Sequence, residues 1–187
     1  MRFENQTAVV AACGSDAGAA CALNYLQQGA KVALYYDEEA RLWPFDQISE
    51  EERSRLLTIQ ISDFRDHEEL KRAADQVKEK FGTCDIVVTA VTTVPSNDMD
   101  EEEYDRVMKT ITNGSLYTIQ PLMPMMIEKN YGRIVLVSSI AGRTAIPGVA
   151  PVYAAANAAL CGMARNIGCT MGVHFITGNA VAVTALE

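Results

Sequence analysis

Apolar runs of strand length alternate with helical segments from one end of the chain to the other. The first run covers residues 7–12 and gives way at 13–18 to a loop of small residues. A helical stretch follows over 19–28, and Gly29 closes it as a left-handed cap. Further strands are predicted over 31–36, 56–61, 85–91, 133–138 and 176–183. Between them, 37–55 reads as a charged loop with a short amphipathic piece and Trp43-Pro44. Residues 66–81 read as a helix with Leu70, Ala73, Ala74 and Val77 on its apolar face. Residues 101–130 form a long helical region that Pro121 and Pro124 bend or interrupt, and 152–171 form an alanine-rich helix. The strands are near-continuous apolar runs, as a sheet covered on both faces requires. This alternation predicts the α/β class, with one doubly wound parallel sheet flanked by helices.

Composition narrows the picture without changing it. The 187 residues, 49% hydrophobic and 21% charged, suit a single domain over 1–187, with no internal repeat, linker or low-complexity tract. A net charge of −8 argues against nucleic acid and anionic membranes as partners. No apolar run reaches the ~18–20 residues of a membrane span. The N-terminus runs straight into a strand without a secretory segment, so the expected location is cytoplasmic. The five cysteines include no C-x-x-C pair and no metal-like spacing with the two histidines. They are expected to be free, buried thiols, with no metal site.

Several stretches carry more than fold information. They are the opening strand with its small-residue loop, Phe81-Gly82-Thr83-Cys84-Asp85-Ile86-Val87-Val88, the run Tyr131-Gly132-Arg133-Ile134-Val135-Leu136-Val137-Ser138-Ser139-Ile140-Ala141-Gly142, and Asn179-Ala180-Val181-Ala182. In this order and spacing they resemble the short-chain dehydrogenase/reductase family over nearly the whole chain. The resemblance implies a Rossmann-like fold, a nicotinamide dinucleotide and a Ser/Tyr/Lys site with an Asn on the long helix.

The functional positions depart from the family pattern. Aligned without gaps, the family's Thr-Gly-x-x-x-Gly-x-Gly loop is Ala11, Ala12, Asp16 and Gly18, so only the last glycine is kept. Asp16 places a carboxylate where a pyrophosphate should sit, and it can cap the helix itself. A shifted register, Gly14-x-x-x-Gly18-x-Ala20, would restore the spacing by lengthening the strand and shortening the helix by two residues each. Asp37, after the second strand, lies near where such folds read ribose hydroxyls. Asp63, after the third, matches the family's adenine-side aspartate. Each also reads as a solvated strand-end carboxylate, and the family's Asn-Asn-Ala-Gly is here Thr89-Ala90-Val91-Thr92, ordinary strand.

Ser139 and Tyr153 match the family's serine and tyrosine. The lysine position, one helical turn after the tyrosine, holds Asn157, and the helix asparagine position is Ile111, with Asn113 two residues away. A unit positive charge at ~4 Å and an effective dielectric of ~20 is worth roughly 4 kcal/mol, about three pKa units, so its loss should handicap Tyr153 as a proton shuttle. The chain also ends soon after Val183-Thr184, where family members usually continue into a substrate-covering lobe.

These losses lead to the expectation of a non-catalytic subunit with no bound cofactor. It would pair, through the helices around 101–130 and 152–171, with an active NAD-dependent short-chain dehydrogenase acting on a hydroxyacyl-type substrate. Within that class the losses look similar to the inactive subunit of the heteromeric hydroxyacyl-CoA dehydrogenase type of benzylsuccinate (anaerobic toluene) degradation. The alternative is a working NAD(P)-dependent oxidoreductase that uses Ser139 and Tyr153, with Asn157, Gly14 and Gly18 in modified roles. A binding or regulatory module that uses the cleft for another small ligand is a third reading.

Overall fold

Each predicted apolar run becomes a strand: β1 Thr7–Cys13, β2 Lys31–Tyr36, β3 Leu56–Gln60, β4 Ile86–Val91, β5 Gly132–Ser139 and β6 Ile176–Val183. All pair in parallel, in the order β3-β2-β1-β4-β5-β6. The structure is a computed structural model and describes residues 2–96 and 100–184. Chain order runs outward from β1 to β3 and then returns to β4 on the other side of β1. The boundary between β1 and β4 is therefore the switch point at which a crevice opens beyond the strand ends.

The helices are α1 Ala17–Gln27, α2 Glu50–Ser54, α3 His67–Phe81, α4 Glu101–Met108, α5 Gly114–Ile119, α6 Met123–Lys129 and α7 Pro151–Met171. Local chemistry sets their ends. The Asp66 side chain accepts from the amides of Glu68 and Glu69 to start α3, and Gly82 ends it at φ 74°. The predicted helix over 101–130 is broken into pieces. α4 passes into a π-helical turn at Lys109–Asn113, and Pro124 sits in the first turn of α6, where its missing N–H costs nothing.

One face of the sheet packs against α3, α5 and α7, burying Val9, Tyr35, Val87, Leu136 and Leu160. The other packs against α1, burying Val10, Leu34 and Val88. Coverage of both faces holds for β1, β2 and β4, but the expectation is corrected at the edge strand β3, where only Ile59 is buried, and at β5 and β6. β5 alternates between buried and half-buried positions, and Val181 of β6 is 48% exposed, because α1 does not extend over these strands. The cysteines differ from expectation too: all five are free, but only Cys84 is buried. Among the described residues no helix is long and apolar enough to cross a membrane, and no cluster of His, Cys, Asp and Glu could hold a metal ion.

Candidate active site

A cleft of about 520 Å³ opens beyond the ends of β1, β4 and β5. One wall is the loop from β1 into α1, the other the start of α7.

The loop is built on two glycines. Gly14 has φ +75°, and a Cβ there would stand 2.2 Å from the Thr92 carbonyl oxygen. Its amide donates to Asp37 Oδ2 at 2.8 Å, so the carboxylate after β2 pins the loop after β1. α1 starts at Ala17, two residues earlier than predicted, which puts Gly18 in its first turn. A Cβ on Gly18 would lie 2.6 Å from the Ala12 Cβ, so glycine is what lets helix and strand approach. The ungapped register therefore holds, and the shifted one, which needs a later helix start, is corrected.

Asp16 stands at the N-cap of α1 but forms no capping hydrogen bond, which corrects the expectation that its side chain fills the anion site. It turns instead to Arg41, whose Nη1 donates to Asp16 Oδ1 at 2.6 Å. Arg41 Nε donates to Asp37 Oδ1 at 3.2 Å, and the Glu38 amide donates to the same oxygen at 2.9 Å. The guanidinium is thus shared by two carboxylates from different loops. Asp63 is held by Arg65 at 2.9 Å, and this pairing keeps its carboxyl below the usual range. It does not line the cleft. Burial, reinforced by Asp37, pushes the Cys13 thiol up to about 12, so it is no nucleophile at neutral pH.

Across the cleft, Tyr153 stands half-buried in the first turn of α7, its hydroxyl 3.5 Å from Thr92 Oγ1. Asn157, one turn further, is 3% exposed and lines the cleft. Its Nδ2 donates to the Tyr153 carbonyl at 2.9 Å and its Oδ1 accepts from the Ser139 amide at 2.8 Å. Its amide oxygen and nitrogen are therefore both engaged with backbone and act as a tie between β5 and α7. Ser138 lines the cleft and donates to the Asn157 carbonyl at 2.9 Å. Ser139 Oγ accepts from the Ala141 amide at 3.2 Å in the following turn. Ile111 lies in the core, and Asn113 contacts Tyr117.

The segment after β4 is fixed by a second ion pair. Arg106 donates to Glu103 at 2.7 Å and reaches the Val94 carbonyl at 2.8 Å, and Glu103 accepts from the Ser96 amide. Arg106, followed by the Ser96 amide, holds the Glu103 carboxyl down at about 2. Thr92, Arg41 and Arg106 escape a reading of the sequence. Each acts across a gap in sequence that no local pattern records.

The model of the short chain dehydrogenase family matches residues 6–187. The chain belongs to that family. It is 26% identical over its whole length to 2-dehydro-3-deoxy-L-rhamnonate dehydrogenase (NAD(+)) of Sphingomonas sp. (strain SKA58), spanning 74% of that protein. It is 31% identical, over 95% of the chain and 67% of the relative, to hydroxynaphthalene reductase-like protein Arp2 of Metarhizium anisopliae (strain ARSEF 549). An uncharacterized oxidoreductase of Staphylococcus saprophyticus is 29% identical over 76% of the chain, and the match spans 62% of that relative's length. In structure, the chain matches NAD+-bound xylitol dehydrogenase with a TM-score of 0.83 at 21% identity, over 100% of this chain and 73% of that one. The corresponding values for gox2181 are 0.85 and 24%, over 97% and 72%.

These relatives overturn the expectation of a non-catalytic subunit. Proteins similar over 95% and 100% of the chain are named as a reductase-like protein and a dehydrogenase, and the matching family is one of dehydrogenases. The expectation treated each departure as a lost part. At Asp16, at least, the structure supplies a partner that changes what the substitution does.

Proposed function

We propose that the chain is an NAD(P)-dependent oxidoreductase that interconverts an alcohol and a carbonyl. One observation carries this reading: a single cleft has the Tyr153 side chain on one wall and the uncapped start of α1 on the other. The cradle fits the dinucleotide. Gly14 and Gly18 let the loop and helix close against Thr92 and Ala12, the first-turn amides of α1 are left without a side-chain cap, and Asp37 stands at the end of β2 for the ribose. Asp63 falls on the adenine side.

When bound, the nicotinamide supplies or accepts the hydride. The chain's own residues handle the proton. Tyr153 as the phenol gives its proton to a carbonyl oxygen, or as the phenolate takes one from an alcohol, and the Thr92 hydroxyl 3.5 Å away is its neighbour in that exchange. Ser139, which follows the cleft-lining Ser138 and is not itself in the lining, accepts from the Ala141 amide and keeps its own O–H as a donor for the substrate oxygen. Asn157 aligns the two by bonding the backbone of both. With no lysine charge beside Tyr153, turnover is expected to be slower than where that charge is present.

The helices of 101–130 and 152–171 supply the subunit contact in this reading. Ala155 and Ala158 of α7, Tyr104 of α4 and Leu116 of α5 are exposed there for a second short-chain dehydrogenase subunit. The expected location is the cytoplasm, where five free thiols stay reduced.

Fluorescence titration with NADH and NADPH tests the reading, followed by turnover on a panel of secondary alcohols and ketones. Binding of either nucleotide with turnover that depends on Tyr153 supports it. A chain that binds neither at millimolar concentration is not an oxidoreductase of this kind.

A further inference from the structure

We propose that Arg41 is a positioning residue that makes dinucleotide binding possible by holding the Asp16 carboxylate off the start of α1. The proposal rests on the dinucleotide reading above and explains how a chain with an aspartate in its phosphate loop could have such a site.

A carboxylate at an N-cap is ordinarily drawn to the helix, because it can accept from the first-turn amides and sits at the positive end of the dipole. Asp16 occupies that position with its backbone in the αR region, and its side chain accepts from none of those amides. Its partner is the Arg41 guanidinium at 2.6 Å, twenty-five residues along the chain. That guanidinium is fixed from behind: Nε is bound to Asp37, itself anchored by the amides of Gly14 and Glu38. Arg41 belongs to the 3-10 segment Glu39–Phe45, which buried Phe45 anchors to the core beside α1. The Arg41 side chain is only 14% exposed, whereas that of Asp16 is 62% exposed and borders the cleft. The arginine is the fixed member of the pair and the aspartate the movable one.

Two effects follow. The first-turn amides remain available to an incoming pyrophosphate, and the one carboxylate at the cleft mouth is neutralised beside a ligand that carries two negative charges. Without Arg41, the Asp16 carboxylate loses its partner and presents an unpaired charge to the phosphates at the start of α1. Asp16 and Arg41 are therefore a matched pair, and the harm in losing one depends on the other being present.

A mutant cycle read by NADH fluorescence and by calorimetry with ADP tests this on the full chain. The four proteins are wild type, Asp16→Asn, Arg41→Met and the double variant, with circular dichroism to verify folding. Methionine keeps most of the aliphatic stem. Arg41→Met is expected to weaken binding by about tenfold or more. Asp16→Asn is expected to bind at least as well as wild type, and the double variant to recover to within about threefold of it. Wild-type affinity in Arg41→Met overturns the proposal, as does a double variant no tighter than Arg41→Met. Binding by Asp16→Asn but not by wild type also overturns it, since Arg41 would then fail to silence the carboxylate. The dinucleotide reading survives the first two of those results and falls with the third. Failure of wild type, Asp16→Asn and the double variant to bind NADH and ADP sinks that reading, and the proposal with it.

Discussion

The side-chain amide of Asn157 donates to the carbonyl of Tyr153, one turn back along α7, at 2.9 Å. Its carbonyl oxygen accepts from the Ser139 amide at 2.8 Å, so one buried side chain joins the tyrosine's helix to the serine's strand. Asn157→Ala strips both bonds at a site 3% exposed and leaves backbone groups unsatisfied. The expected loss is about 1–3 kcal/mol, measured by urea unfolding. Asn157→Lys should also destabilise, because a lysine amine can donate to the Tyr153 carbonyl but cannot accept from Ser139.

Tyr153→Phe removes the cleft's phenolic hydroxyl and keeps the ring. Turnover with any accepted substrate should fall by about 10²–10⁴-fold, the usual worth of a positioned acid–base group. Nucleotide affinity by NADH fluorescence should stay within about threefold. Unchanged turnover would remove Tyr153 from the reaction.

Gly14 and Gly82 have nearly the same φ, +75° and +74°, but different surroundings. A Cβ on Gly82 meets nothing within 4 Å, so Gly82→Ala should cost only the left-handed strain of about 1–2 kcal/mol. A Cβ on Gly14 would meet the Thr92 carbonyl oxygen at 2.2 Å. Gly14→Ala should therefore cost clearly more than Gly82→Ala in thermal unfolding. It should also weaken nucleotide binding, because the contact it strains is the wall of the cleft.

Acid stability should carry the mark of Glu103. Its folded pKa, about 2, lies below the ordinary glutamate value of 4.5, so the folded state binds the proton more weakly than the unfolded one. The stabilisation is then complete above the unfolded value and is lost as pH falls from there through about 2. Melting temperatures of wild type and Glu103→Gln should differ most near neutral pH and converge toward pH 2. A difference that does not change with pH would mean that Glu103 acts only through its hydrogen bonds.

Most of the fold was legible because its causes are local. Buried parallel strands write themselves as apolar runs, Asp66 caps α3 and Gly82 ends it. The ladders at β5 and β6 were less legible, since burial of Val137 and Val181 depends on how far α1 reaches, which their own sequence does not record. At the site, Gly18, Tyr153 and Asn157 are placed by the resemblance to the family's motifs. The destination of the Asp16 carboxylate could not, since helix chemistry predicts a cap and the competing guanidinium comes from a 3-10 segment on another loop. The sequence places Asn157 at the lysine position, and only the backbone around it reveals that both ends of its amide are committed.

The pairing of β1 with β4 has a consequence for how the molecule is made. The bond from the Thr7 amide to Asp85 closes a loop of 78 residues, and every wall of the cleft depends on that closure. β1, β2 and β3 can associate earlier, through shorter connections, without enclosing anything. As the chain leaves the ribosome, its first sixty residues can build half of a sheet while the cleft has no counterpart. Such non-local pairing is slow to form. The cleft can therefore close only once β4 has paired with β1.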